Sequence, residues 1–151
     1  MMNARLSIEA DPDAYTAMVG LEKYLNQSTL PKATLELVKL RASQMNGCGF
    51  CVDMHSHDAK AAGETDERLF SVVTWREAPF FTSAEQAALA LTEEATRLGP
   101  EGVSDEVWNE ACRHYDDRTL VALVTAIATI NAWNRFGVTF RSVAGSHRTA
   151  D

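Results

Sequence analysis

No stretch of the sequence is long and apolar enough to span a bilayer. The longest mostly apolar run covers residues 120–130 and is broken by Thr125 and Thr129, short of the roughly 20 residues that a membrane helix needs. The N-terminal segment MMNARLSIEADPD has no apolar stretch around its Arg5, so it reads as lacking the hydrophobic region of a secretory signal. A cationic excess is missing too. With 14 Lys and Arg against 21 Asp and Glu, a formal net charge of -7, the chain has no surface built to follow phosphates. Proline (4), glycine (8) and cysteine (3) are all sparse, which excludes collagen-like, low-complexity and disulfide-scaffold architectures. These absences point to a cytoplasmic globular protein with neither nucleic acid nor membrane as partner. A composition that is 46% hydrophobic over 151 residues is enough for one domain, expected to span 1–151, with a core of its own.

Alternating polar and apolar runs, the mark of half-buried strands, are also absent, whereas helix punctuation recurs along the whole chain. The expected fold is therefore all-α, with about six to seven helices. Asp11-Pro12 is an N-cap and N1 pair opening a helix over 12–27. A second runs from about Pro31 to the αL-tolerant stop Asn46-Gly47. A third starts near Cys48 and ends at Gly63, and a fourth covers about 66–75 before Pro79. Thr82-Ser83-Ala84-Glu85-Gln86 holds two overlapping capping-box patterns, opening a helix that closes at Gly99-Pro100. Ser104 caps a shorter one. Asp116 or Asp117 caps the last, over 120–136, which is apolar around most of its circumference and so is expected at the centre or in a subunit interface. In the tail after Gly137, Phe140 and Val143 are expected to dock and the remainder to fray.

Chemistry concentrates in GCGFCVDMHSHD. On a helix, Cys48 and Cys51 are i,i+3 neighbours, and Cys51 and His55 are i,i+4 neighbours, so the three side chains share one face. That spacing permits a disulfide and a proton transfer. A helix N-terminus favours the thiolate at Cys48, below the free thiol value of about 8.5. Gly47 and Gly49 leave open the approach to that sulfur. Two other readings of the pair stand beside this one. The cysteines are small buried hydrophobes, or they join His55 as zinc ligands, with Cys112 or His114 completing the set.

Glu36 lies twelve residues before Cys48 in LPKATLELVKLRASQMNGC. With it the chain resembles the alkylhydroperoxidase D (AhpD) and carboxymuconolactone decarboxylase superfamily, whose peroxidase branch carries Glu, then C-x-x-C, then His four residues beyond the second Cys. Here these are Glu36, Cys48, Cys51 and His55, and the resemblance extends over about 20–100. It implies an AhpD-like helical fold, a homo-oligomer (trimer or hexamer) and a thiol-dependent alkyl hydroperoxide reductase. In that mechanism Glu36 and His55 relay a proton from a cysteine, which attacks the peroxide, and the second cysteine closes the disulfide. The reductant implied is a lipoyl-bearing protein, thioredoxin or a small thiol, and no metal or other cofactor is called for. The mycobacterial type of AhpD has a further His directly before the second Cys. This chain has Phe50 there, so the implied relay is shorter.

The alternatives are a protein disulfide reductase, a gamma-carboxymuconolactone decarboxylase-like enzyme, or a zinc-stabilised helical binding module. His57 falls on another face of its helix and is left out of the site. Cys112, His114 and His147 read as packing or surface residues, and Trp75, Trp108 and Trp133 as core or interface aromatics, with Trp75 also placed to line a pocket.

Overall fold

The computed structural model describes residues 3–148. Seven α-helices follow one another: α1 Pro12–Gln27, α2 Lys32–Asn46, α3 Gly49–Ala61, α4 Asp66–Ser71, α5 Ser83–Thr96, α6 Asp105–His114 and α7 Asp117–Phe140. Two 3-10 segments, Ile8–Ala10 and Val72–Glu77, precede α1 and follow α4. Among the described residues there is no strand, only an isolated bridge between Gly99 and Gly102.

The caps explain most of the boundaries. The Asp11 carboxylate accepts from the backbone of Asp13 and Ala14, with Pro12 at the first helical position. Gly47, at φ 66°, ends α2 in the left-handed conformation that glycine adopts without strain. Of the two overlapping capping boxes, Thr82 and Glu85 form the one that is used. Asp116 rather than Asp117 caps α7 through the Thr119 N–H.

Three expectations change. The helix over 66–75 is α only to Ser71. The β-branched run Val72-Val73-Thr74 continues as 3-10, with Thr74 in a non-helical conformation, because branching at Cβ crowds the preceding α-turn. The last helix does not stop at 136 but passes through Gly137 to Phe140, where Arg141 takes the left-handed stop. The tail docks, though not through Val143, which is 43% exposed. His147 instead packs edge-on against Phe50, with ring centroids 5.5 Å apart, and Arg148 pairs with Asp53.

Helix α2 is the centre of the arrangement, packed on α3, α5 and α7. One of its faces gives Leu35 and Val38 to a core shared with Leu91, Leu123, Ala126 and Ile127. The other gives Leu37 and Leu40 to a second core with Ala59, Val72, Trp75 and Leu89. Each such fully buried aliphatic side chain contributes about 1.5–3 kcal/mol. The rigid placement of α2 and α3 that follows is what fixes the site. No helix among the described residues is long and apolar enough to cross a membrane.

Candidate functional site

The site begins where α2 ends. After the left-handed Gly47 the chain turns so that Cys48 becomes the N-cap of α3. The Cys48 N–H donates back to the Ser43 carbonyl at 3.1 Å, and Cys48 Sγ accepts the Cys51 N–H at 3.3 Å. A sulfur in that position occupies the acceptor role that Ser or Asp plays at other helix starts. Cys48 and Cys51 are joined in a disulfide, with Cα atoms 5.3 Å apart, and both residues are 2% exposed.

His55, 6% exposed, lies one turn beyond Cys51 on α3. Glu36, half-buried on the first half of α2, brings Oε2 to 3.2 Å from His55 Nδ1. The four residues singled out in the sequence are thus divided between two packed helices. Three lie at the start of α3, and Glu36 reaches His55 from α2. The contact at Nδ1 fixes the orientation of the His55 ring from α2.

One residue of the site was not anticipated. Gly137 on α7 lies against the disulfide, so that a Cβ built there would stand 2.6 Å from Cys48 Sγ and 3.3 Å from Cys51 Sγ. A buried polar network holds α7 in place one turn earlier. Asn134 donates to Ser43 Oγ at 3.0 Å and accepts from Asn46 at 2.9 Å. Asn46 also reaches Asn131 at 2.9 Å, and Asn131 reaches Thr96 at 3.0 Å. Asn134 and Ser43 are essentially fully buried, and buried groups satisfied in this way fix one packing arrangement strongly. The sequence signal was available: Val138, Thr139 and Phe140 continue past Gly137 without a turn residue.

The remaining candidates separate from the site. His57 is exposed, with Nδ1 2.8 Å from the Asp53 carbonyl oxygen. Asp53 itself is held below the usual carboxylate range by its hydrogen bond from Arg148. Cys112 is a free, exposed thiol, and His114 pairs with Glu110 at 3.0 Å. Trp75 is a core aromatic whose Nε1 donates to Glu93 at 3.0 Å. Trp108 borders an open groove of about 400 Å³ with Val121 and Val124, about four turns along α7 from Gly137. Among the described residues no group of three or more His, Cys, Asp or Glu side chains is arranged to hold a metal ion. Cys48 and Cys51, as a disulfide, present no thiolates to zinc.

An all-α fold with a C-x-x-C at the start of its third helix and a carboxylate–imidazole pair beside it defines an AhpD-like protein. The chain belongs to the carboxymuconolactone decarboxylase family, whose pattern matches residues 12–94. It is 41% identical over 146 residues to the uncharacterized protein YdfG of Bacillus subtilis (strain 168), covering 96% of this chain and 99% of that one. A crystal structure of the Agrobacterium tumefaciens protein of unknown function ATU0492, proposed to be the antioxidant defence protein AhpD, superposes with a TM-score of 0.90. The two share 36% identity over 94% of this chain and 98% of that one. The debrominase Bmp8, solved with 2,3,4-tribromopyrrole, has the same fold at a TM-score of 0.82 and 22% identity, over 92% of this chain and 74% of that one.

Proposed function

We propose that this protein is a thiol-dependent hydroperoxide reductase. In this reading a single domain, 1–151, works in the cytoplasm, with Cys48 and Cys51 as the redox pair and Glu36 and His55 as the proton relay. The observation that carries it is the 3.2 Å contact between Glu36 and His55 beside a closed Cys48–Cys51 disulfide. A cysteine pair that only staples the fold needs no imidazole held by a carboxylate one turn away. The proposal made for the Agrobacterium protein at 36% identity supports the same reading.

In the reduced enzyme His55, held by Glu36, takes the proton of one thiol. The thiolate attacks the terminal oxygen of the hydroperoxide, the O–O bond breaks, and the alcohol leaves with a proton returned by His55. The sulfur is now a sulfenic acid. The second thiolate attacks it, an S–S bond forms, and the hydroxyl departs as water after taking the remaining proton. Two thiols and one ROOH become one disulfide, ROH and water. An external dithiol then returns two electrons and two protons by exchange through a mixed disulfide.

The two sulfurs are served differently: Cys48 by the helix N–H, Cys51 by its proximity to His55. Burial of both also bears on the partner. A slender dithiol such as a lipoyl arm reaches sulfurs that are 2% exposed, whereas the disulfide of a folded protein does not. Peroxide turnover driven by a small dithiol should fall to background in both Cys48→Ser and Cys51→Ser. Full turnover in either variant would remove the pair from the reaction.

A further inference from the structure

We propose that Gly137 sets the balance between the Cys48–Cys51 disulfide and its dithiol by leaving room for the joined sulfurs under α7. This role rests on the redox reading above and makes Gly137 a positioning residue. Glycine inside a helix is disfavoured relative to alanine, because it has more backbone freedom to lose. Gly137 nonetheless sits within the α7 helix and is buried. Of the eight glycines, it alone would meet sulfur if it carried a Cβ, at 2.6 Å from Cys48 Sγ and 3.3 Å from Cys51 Sγ. The first distance is far inside van der Waals contact, so either the helix or the sulfur has to move.

In the oxidised form neither side yields easily. Each sulfur is tied to the other. The Cys48 backbone is anchored to the Ser43 carbonyl, and Sγ also accepts the Cys51 N–H. On the other side, Asn134 fastens α7 to Ser43 and Asn46 one turn before Gly137. In the dithiol the tie to Cys51 Sγ is gone, so Cys48 Sγ can yield to a methyl group by a change of χ1 without carrying the second sulfur with it. A methyl group at 137 therefore penalises the disulfide more than the dithiol, and glycine is what lets the oxidised state form without displacing α7.

The test is Gly137→Ala, equilibrated anaerobically in graded mixtures of dithiothreitol and its cyclic disulfide, with the oxidised fraction read by thiol alkylation and mass. The exchange converts protein disulfide and dithiol reagent into protein dithiol and cyclic disulfide, moving two electrons and two protons. The equilibrium should shift at least tenfold toward the protein dithiol, which is about 30 mV for a two-electron couple. Melting of the oxidised variant should drop below wild type, while the reduced variant should match it or exceed it. Gly20→Ala, whose Cβ meets nothing within 4 Å, should leave the equilibrium unchanged. An equilibrium within twofold of wild type overturns the proposal. So does an equal loss of stability in both redox states, including a variant that folds in neither. A wild-type pair that does not titrate in these buffers contradicts the redox reading itself, and this role falls with it.

Discussion

At the scale of single residues, Glu36 Oε2 stands 3.2 Å from His55 Nδ1. A carboxylate at hydrogen-bond distance from Nδ1 orients the imidazole, selects its protonated nitrogen and stabilises the cation that forms when it takes a proton. Glu36→Gln keeps the shape and the hydrogen-bonding capacity but removes the charge. Peroxide reduction should therefore slow by about 10²-fold, within the usual worth of acid–base assistance, while the melting temperature changes little. An unchanged rate would take Glu36 out of the relay. The spacing of Cys48, Cys51 and His55 along one helix was legible in the sequence because i,i+3 and i,i+4 neighbours need no tertiary information. Glu36 was picked out only by its family resemblance, since its contact with His55 crosses between helices. The last helix was expected to end at 136, just before Gly137, and glycine does end helices more often than it runs through them. The unbroken run Val138-Thr139-Phe140 beyond it was the local sign that α7 continues, whereas its closeness to sulfurs 86 and 89 positions earlier in the chain is a tertiary contact that no local pattern shows.

At the scale of elements, Glu93 ties three segments together. From α5 its carboxylate accepts from Arg41 of α2 at 2.8 Å, from Trp75 Nε1 at 3.0 Å, and from Arg76 on the 3-10 segment. Burial pushes this carboxyl up, but the hydrogen bonds from Arg76, Trp75 and Arg41 outweigh burial, and it titrates below the ordinary value. A carboxyl whose folded pKa is depressed adds stability that is present above its unfolded value, about 4.3. That stability is lost as pH falls through the folded pKa. The melting temperature should stay level from pH 7 to 5 and decline below about pH 4. Glu93→Gln should lower stability at pH 7 by about 1–3 kcal/mol by leaving Arg41 without its partner charge, and should flatten the acid slope. An unaltered slope would show that Glu93 does not carry it. The caps of α5 and α7 were each narrowed to two neighbouring candidates, of which the structure uses Thr82 and Asp116, whereas the side-chain cap at Asp11 could be read directly from the sequence. The passage of α4 into 3-10 at Val72 could not, because the pattern of apolar positions is nearly the same for both helix types over so short a stretch.

Considered as a whole, the molecule buries one face of α7 and exposes another. Leu123, Ala126 and Ile130 are fully buried, whereas Val121 is 61% and Val124 43% exposed, beside Trp108 at 41%. Apolar side chains grouped in this way favour association, and they support the homo-oligomer implied by the resemblance. Light scattering should give a trimer or hexamer of the 16.6 kDa chain. A mass of one chain would show that this exposed face of α7 does not pair chains. Counting thiols decides what the two buried sulfurs do. The fully reduced protein carries three: Cys48, Cys51 and the exposed Cys112. Treated anaerobically with one equivalent of an alkyl hydroperoxide, each chain should lose two thiols and keep one, with the loss mapped by mass to a Cys48–Cys51 disulfide. If all three thiols remain, or if Cys112 is the one consumed, this protein is not a hydroperoxide reductase that works through Cys48 and Cys51.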